Sequence, residues 1–336
     1  MGQGKRRMSE GCYDHVNAAT SPWCIFVAAH NEERKIESCL KSIFAAEPDA
    51  RPDVYVVANG CTDRTEERVL EFRRGHASVH LVTIRRGDKC NAWNEFIHDV
   101  VPGYCGGRDL YFFMDGDVRV TPGSFRALAA TLDENVHAHA ASGLPVSGRS
   151  VRQAREGLMT GRNIMGNLYA LRGEFVRRIQ EMQIRLPRGL EGDDGIIATM
   201  AKFDLFPIIN KTRDDQRIEP CLDAGFEFDS LRLLSIRDWR LYYRRLVRYA
   251  RRQFEFDLMR PVITRCGFKA MPAEIAEIYC EGRVWRPPAE RFYHPMWNWL
   301  ALREMRRRAR AWHFGSRLVQ GHKGATGADP SSDVRR

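Results

Sequence analysis

The sequence predicts an α/β protein with a mixed, mainly parallel sheet flanked by helices, followed by a helical C-terminal extension. In the first half of the chain, short apolar segments alternate with segments whose apolar residues recur at helical spacing. Polar turns follow the apolar segments, as they do at the carboxyl edge of a parallel sheet. Beyond residue 236, aromatic and Arg residues recur three or four positions apart, which indicates long helices.

The composition is that of a globular protein with an excess of positive charge. The chain has 336 residues, of which 43% are hydrophobic, and its net charge is +10. No apolar run approaches the about 20 residues of a membrane-spanning helix, and no apolar region follows the basic N-terminus as in a secretory signal. The nine cysteines lack a CxxC pair, which indicates reduced thiols and a cytoplasmic protein rather than a disulfide framework or a zinc site.

Five apolar segments are predicted to be strands, with helices between them. Residues 1–20 are polar and lack periodicity, so they are predicted to be a flexible lead. The first helix has a buried stripe that includes Ile36, Leu40 and Ile43. Residues 144–160 are predicted to be a polar loop. The predicted strands are residues 23–29, 54–58, 79–84, 110–114 and 137–143.

Two carboxylates follow the fourth predicted strand directly. Residues 110–114 are continuously apolar, which is typical of a strand buried on both faces, and Asp115 and Asp117 come next. At the carboxyl edge of the sheet, two acids can hold a divalent cation together with the phosphate oxygens of a ligand. The alternative is an ordinary Asp-Gly turn. A second acidic pair downstream, Asp193 and Asp194, favours the metal site.

The C-terminal segments combine aromatic residues with Arg. Residues 236–258 are predicted to form a long helix with an Arg stripe that faces phosphate or lipid headgroups. Residues 292–312 resemble an interfacial amphipathic segment; the alternative is a helix packed on the main domain with its Arg residues in solvent. We therefore predict a main domain of residues 21–235, a helical basic region of residues 236–316 and a disordered tail of residues 317–336. The stripe comprises Arg237, Arg240, Arg244, Arg248 and Arg251.

Several motifs occur in an order that resembles family 2 glycosyltransferases of the GT-A (Rossmann-like) fold. The resemblance extends over about residues 22–255, and no GxGxxG or GxxxxGK[ST] motif points instead to a dehydrogenase or a P-loop NTPase. It implies that residues 21–235 are the domain that binds the nucleotide sugar and catalyses the reaction. The motifs are Ala28-Ala29-His30-Asn31-Glu32, the turn at residues 57–65 (family pattern DNGSTDGT), the KxxAxN start at residues 89–94, the DxD at residues 115–117, the EDxxL-like residues 193–197, and residues 245–249 as an echo of QxxRW.

The resemblance implies a role for each matching residue. Asp117 is expected to bind Mn2+ or Mg2+, with Asp115 helping to hold the metal or contacting the donor ribose. Asp194, or its neighbour Asp193, is expected to be the general base for the acceptor hydroxyl. With one base and no second nucleophile, single displacement with inversion is the simplest course. The residues expected to bind the nucleotide sugar are Ala29, Glu32, Asn59, Lys89, Asp115, Arg245, Arg248 and Tyr249.

Departures from the family pattern bear on the substrates. Ala58 stands where family members have an acid that reads uracil, and Asn59 is the candidate substitute, so this departure leaves the identity of the donor base open. The resemblance itself makes a UDP-sugar the expected donor. Arg245 and Tyr249 replace Gln and Trp of QxxRW. This change in the motif, together with the lack of predicted membrane-spanning helices, favours a non-processive hexosyltransferase. The expected acceptor is lipid-linked or a small molecule, with an anionic membrane surface as a partner of the C-terminal Arg/Trp segment, and nucleic acid is not expected.

Two other interpretations remain open from the residues. A haloacid-dehalogenase-type phosphatase also places DxD after an apolar strand, but its motif is DxDx[TV], and Arg119 occupies the fifth position here. A non-catalytic basic module for nucleic acid or membrane surfaces would account for the Arg stripe. It would leave the two acidic loops without a role, because acids repel phosphate unless a metal intervenes.

Overall fold

The computed structural model describes residues 23–147, 151–228, 236–280 and 295–324, with side chains described for 242–279 and 296–312 in the last two ranges. The predicted flexible lead of residues 1–20 lies outside the described residues. The predicted tail of residues 317–336 overlaps the end of the last helix, and residues 325–336 lie outside the description.

The sheet is mixed, as predicted, and its eight strands run in the order β3-β2-β1-β4-β7-β6-β8-β5. β1 pairs in parallel with both β2 and β4, and β2 pairs in parallel with β3. β7 is antiparallel to β4 and β6, and β5 is antiparallel to β8. The strands are β1 (Trp23–Ala29), β2 (Asp53–Asn59), β3 (Val79–Ile84), β4 (Leu110–Asp115), β5 (Val118–Val120), β6 (Ala140–Pro145), β7 (Leu168–Arg172) and β8 (Ile218–Phe228).

Helices cover both faces of this sheet and extend beyond it at the C-terminus. The third helix continues without interruption as a π-helix over Phe96–Cys105, and short 3-10 turns connect later elements. The helices are α1 (Ile36–Ala46), α2 (Thr65–Arg73), α3 (Lys89–Glu95), α4 (Ser124–Glu134), α5 (Val151–Gly161), α6 (Gly173–Glu181), α7 (Asp193–Lys202), α8 (Ile236–Cys266), α9 (Ile275–Cys280) and α10 (Pro295–Gly324).

Strand β4 shows why its sequence is apolar at every position. Tyr111 and Phe113 point into a core layer that also contains Trp93 of α3 and Phe175 of α6. The residues between them point the other way, into a layer shared with α1 and α4. Alternate side chains thus enter opposite cores, which a strand with period two can do only when both faces of its sheet are covered.

The order of the strands creates a crevice between β1 and β4. The chain adds β2 and β3 on one side of β1 and then returns to add β4 on the other side. Such a switch point leaves a crevice at the carboxyl ends of the strands, where open α/β sheets bind ligands. Ala28 of β1 lies opposite Asp115 of β4 in register, so the two acids after β4 are at this crevice.

Two sequence predictions for the second half of the chain were wrong in detail. Residues 144–160, predicted to be a loop, contain helix α5, which is amphipathic over a short length. The long basic helix does not stop near residue 258 but continues as α8 to Cys266, with Pro261 inside it. Among the described residues, no helix is both long and apolar enough to cross a membrane.

Helices α8 and α10 are held to the main domain by a buried ionic network. Arg251 is only 2% exposed and contacts Glu191, Glu255 and Glu304. Glu255 also accepts a hydrogen bond from Tyr279 and one from the backbone N–H of Glu191. Arg251, predicted on a phosphate-facing stripe, is therefore a buried structural residue, because three carboxylates converge on it.

Candidate active site

The turn after β4 presents Asp115 and Asp117 to different partners. The backbone N–H of Gly116 donates to the Ala28 carbonyl at 2.8 Å, so the turn is tied to the end of β1. A Cβ on Gly116 would lie 3.1 Å from that carbonyl oxygen, which leaves little room for any side chain. Asp117 Oδ2 lies 3.4 Å from Lys35 Nζ of the segment before α1. The turn thus separates the two carboxylates and gives each a cation.

Lys89 joins the two acidic loops that the sequence analysis identified. Its Nζ lies 2.7 Å from Asp115 Oδ1 and 3.5 Å from Asp193 Oδ2. It also donates to the Gly166 carbonyl at 3.3 Å. Lys89 is the first residue of α3, and Asp88 caps that helix by accepting from the Asn91 N–H at 3.1 Å. The capped helix therefore fixes a cation between the two loops.

Asp193 and Asp194 are the first residues of α7, yet their carboxylates have different surroundings. Asp194 Oδ1 lies 2.9 Å from Arg252 Nη2 and accepts from the Gly195 N–H at 2.8 Å. Asp193 is 8% exposed, and its Oδ2 has no hydrogen-bond partner among the described residues although Lys89 is at ion-pair distance. The contact to Lys89 is thus electrostatic, and the Asp193 oxygen is poorly solvated.

Burial, together with the concentration of negative charge at the site, raises the pKa values of three carboxylates. Burial raises the pKa of Asp115 to about 6; Lys89 opposes the shift and Asp117 adds to it. Burial and the nearby Asp117 raise the pKa of Glu32 to about 7, in spite of Lys35. Burial likewise raises the pKa of Asp194, although Arg252 acts against it. These carboxylates therefore bind protons more readily than free carboxylates, because burial disfavours their charged form more than the nearby cations favour it.

This donor set fits a hard divalent cation. Asp115, Asp117 and Glu32 bring carboxylate oxygens to one edge of the sheet, and burial, together with their mutual repulsion, raises the pKa of Asp115 and of Glu32. No group of three or more His, Cys, Asp or Glu side chains is already arranged as a metal site in the part of the chain that is described. Mg2+ commonly takes only one or two protein carboxylates and completes its shell with phosphate oxygens and water.

Ala29 and Asn59 lie side by side at the same edge of the sheet. The Asn59 amide is 4% exposed and donates to the Ala29 carbonyl at 2.8 Å. The Asn59 carbonyl lies 2.6 Å from His30 Nδ1, and Gly87 packs against the same imidazole. The Asn59 side chain is therefore turned onto the backbone of β1, and the residue exposed next to it is His30.

The three residues predicted from the QxxRW echo do not contact Asp115, Asp117, Asp193 or Asp194. Arg245 is exposed, and Arg248 contacts Glu191 at 2.9 Å between Nε and Oε2. Tyr249 is exposed beside Arg252. Arg252, one turn beyond Arg248, is the α8 residue that contacts Asp194, and it was missed because it lies outside the motif.

Two further polar residues of the site were also missed by the sequence analysis. Asn167 donates from Nδ2 to Asp115 Oδ2 at 3.1 Å, and it follows Gly166 in the segment before β7. Lys35 lies near both Asp117 and Glu32, at 3.4 and 3.9 Å. Lys35 could have been suspected, because it is one helical turn after Glu32, whereas no sequence feature singles out Asn167.

Comparisons with known proteins bear on the family and on the fold. Residues 24–188 match the family model described as Glycosyl transferase family 2. No curated protein sequence matches the chain. Among solved structures, the mannosyltransferase PcManGT from Pyrobaculum calidifontis, in complex with GDP-Man and Mn2+, is similar with a TM-score of 0.54 and 15% identity, over 95% of this chain and 85% of that chain. This likeness is one of fold.

Two other solved structures are similar at lower scores. TarS 1-349 of S. aureus, in complex with UDP-GlcNAc, has a TM-score of 0.46 and 16% identity, over 70% of this chain and 66% of that chain. Glucosyl-3-phosphoglycerate synthase from Mycobacterium tuberculosis, in complex with Mn2+, UDP-Glc and phosphoglyceric acid, has a TM-score of 0.44 and 20% identity, over 67% and 79% of the two chains.

Proposed function

Since the chain belongs to glycosyl transferase family 2 through residues 24–188 and has a GT-A-like sheet, we propose that it transfers a hexose from a nucleotide sugar to an acceptor hydroxyl. The proposed reaction is metal-dependent, inverting and non-processive. The observation that carries it is the convergence of two acidic loops, from β4 and from the start of α7, on the single cation Lys89. The loop after β4 suits the donor diphosphate, and the loop at the start of α7 suits the acceptor.

The donor side of the proposed site is the turn after β4. Asp117, with Asp115, would hold Mn2+ or Mg2+, which when bound would neutralise charge on the donor diphosphate. Lys35 and Lys89 flank these carboxylates and can contact the diphosphate oxygens once the carboxylates bind a cation. The backbone at the ends of β1 and β2 would lie against the nucleoside. A UDP-hexose is the donor to test first, with GDP- and dTDP-sugars beside it.

The acceptor side is proposed to use Asp194 as the general base. Among the described residues, the contacts of its carboxylate to Arg252 and to the Gly195 N–H both involve Oδ1, which leaves Oδ2 available to accept a proton. The acceptor oxygen forms its bond to the anomeric carbon, its proton passes to Asp194, and the nucleoside diphosphate leaves with the bonding electrons. A raised pKa makes Asp194 a better proton acceptor than an ordinary carboxylate. Asp193, buried against Lys89, is the alternative base.

A cytoplasmic location on the inner face of a membrane is proposed for the C-terminal helices. Tyr242, Met296 and Trp299 are exposed large side chains on α8 and α10, and the Trp299 ring lies under the Arg303 guanidinium at 5.5 Å. Exposed aromatic rings beside Arg residues suit the headgroup region of an anionic bilayer. This surface would let the enzyme reach an acceptor that is lipid-linked, while leaving a small soluble acceptor equally accessible.

A binding panel tests the proposed function. The full chain is heated with UDP-, GDP- or dTDP-sugars, each with and without Mn2+, and its unfolding temperature is recorded. At a ligand concentration 100 times Kd, binding to the native state adds about 2.7 kcal/mol to the free energy of unfolding. We expect such stabilisation by one nucleotide class, only with the metal, and its loss in Asp117→Asn. No metal-dependent stabilisation by any donor would contradict the proposal.

Hydrolysis of aryl phosphates tests the phosphatase alternative in the same preparation. Three strands precede the DxD here, whereas the phosphatases place it after the first strand. We expect no hydrolysis above the rate of an Asp115→Asn variant. Hydrolysis that depends on Asp115 would restore that alternative.

A further inference from the structure

A cavity of about 680 Å³ lies between α7 and α8, and its lining does not include Asp115 or Asp117. One wall is a face of α7 together with the loop that precedes it, and the opposite wall is a face of α8. The segment after α5 closes one side through Asn163 and Ile164. Its volume is within the range of about 300 to 1,000 Å³ that is usual for small-molecule sites.

The polar groups of this cavity are mostly cationic. The lining includes Lys202, Arg213, Arg252 and Arg260, and a single carboxylate, Glu191. Glu191 does not offset these four cations, because Arg248 and Arg251 already contact both of its oxygens.

The four cations have fewer carboxylate partners than charges. Lys202 and Arg213 share the carboxylate of Asp215, and Arg252 is paired with Asp194. Arg260 has no carboxylate partner among the described residues. An anion in the cavity would therefore meet positive charge that the protein does not neutralise, and Arg is well suited to bind phosphate through several N–H groups.

The cavity adjoins the catalytic groups on two sides. Arg252 lines it and also contacts Asp194 at 2.9 Å. The segment that supplies Asn163 and Ile164 continues to Gly166 and Asn167, which contact Lys89 and Asp115. A molecule held in the cavity would thus lie next to the proposed base.

From these observations we propose that the cavity is the acceptor site and that the acceptor carries a phosphate group. The inference rests on the proposed glycosyl transfer and specifies its acceptor class. Arg213 and Arg260 would bind the phosphate, and Ile164, Ile196 and Phe256 would pack against the rest of the acceptor. The phosphate can belong to a soluble molecule or to a lipid headgroup.

Calorimetric titration with glycerol 3-phosphate, with glycerol as the neutral control, tests the soluble case. Arg260→Gln removes a cation of the cavity, and Arg265→Gln removes an exposed cation from the same helix outside it. We expect wild type and Arg265→Gln to bind glycerol 3-phosphate and not glycerol, and Arg260→Gln to bind about tenfold more weakly, as for loss of one charged contact.

Vesicles test the lipid case with the same three proteins. Co-sedimentation with phosphatidic acid vesicles that is weakened in Arg260→Gln but not in Arg265→Gln, and is absent with phosphatidylcholine, would assign the phosphate to a headgroup. If neither probe binds, or if both variants bind equally, the inference is wrong. Donor binding provides the separate readout: Arg260→Gln should keep its metal-dependent stabilisation by the nucleotide sugar. If wild type lacks that stabilisation, the failure is of the proposed function itself.

Discussion

Asp115→Asn is expected to make the protein more stable while removing its activity. The Asp115 side chain is 24% exposed, and burial with the adjacent Asp117 raises its pKa from 3.8 to about 6. A carboxylate whose pKa is raised in the folded state is easier to ionise in the unfolded chain, so its ionisation favours unfolding. One pKa unit corresponds to about 1.36 kcal/mol, so the ionised Asp115 reduces the free energy of unfolding by about 3 kcal/mol at pH 7.

The pH dependence follows with a defined sign. The contribution of Asp115 to stability is fully present below pH 3.8, its ordinary pKa, and is lost as pH rises through about 6. At pH 5 only part of this stability is lost, and the same relation gives a reduction of the free energy of unfolding by about 1.6 kcal/mol. An Asn cannot ionise, and it can still accept from Asn167. The variant should therefore exceed wild type by up to about 3 kcal/mol at pH 7 and by about half of that at pH 5.

Urea unfolding at pH 5 and pH 7, without added metal, measures this difference. Asp117→Asn is the matched control, because it removes one carboxylate from the same turn at a side chain that is 36% exposed. We expect the control to have a smaller effect than Asp115→Asn, because it removes only one of the causes that raise the pKa of Asp115 and leaves its burial unchanged. Both variants should lose metal-dependent transfer. The reasoning is refuted if Asp115→Asn is no more stable than Asp117→Asn at pH 7, or if its advantage grows toward pH 5.

Three other outcomes are expected. Asp194→Asn should lower kcat by about 10²- to 10⁴-fold while donor affinity, measured by titration, stays unchanged, and near-normal transfer would remove Asp194 from the role of base. Arg252→Gln removes the cation that opposes the rise in the pKa of Asp194, so the acidic limb of the pH–rate profile should move to higher pH; an unchanged limb would mean that Arg252 does not influence the base. Trp299→Ala should weaken binding to vesicles with anionic lipids and leave transfer to a soluble acceptor unchanged, and equal binding by wild type and variant would remove this surface as the membrane contact.

The sequence was sufficient to predict the fold and the family. Strand β4 is apolar at every position because each face of it enters a core layer, and this pattern is visible without coordinates. The alternation of strands with helices and the order of the motifs then led to a mixed sheet of GT-A type and to family 2, both of which are confirmed. These features depend on local periodicity and on short motifs, which a sequence displays directly.

The contacts of α8 could not be predicted in the same way. Whether Arg248 or Arg252 reaches Asp194 depends on how α8 is rotated against α7, and that rotation is fixed by the packing of Val247, Ala250 and Phe254 against α10. Asn59 is a similar case. Its amide binds the backbone of β1, and nothing in the turn sequence indicates whether that side chain faces the protein or a ligand.

Arg251 and Arg252 are adjacent in sequence, and their side chains contact different parts of the protein. Arg251 binds carboxylates from the Asp193 loop, from α8 itself and from α10, while Arg252 extends to Asp194. A rotation or shift of α8 would move both guanidinium groups together. Assembly of the C-terminal helices is therefore a condition for placing a positive charge beside the proposed base. The matched family segment ends at residue 188, so Asp193, Asp194 and the whole of α8 lie beyond it.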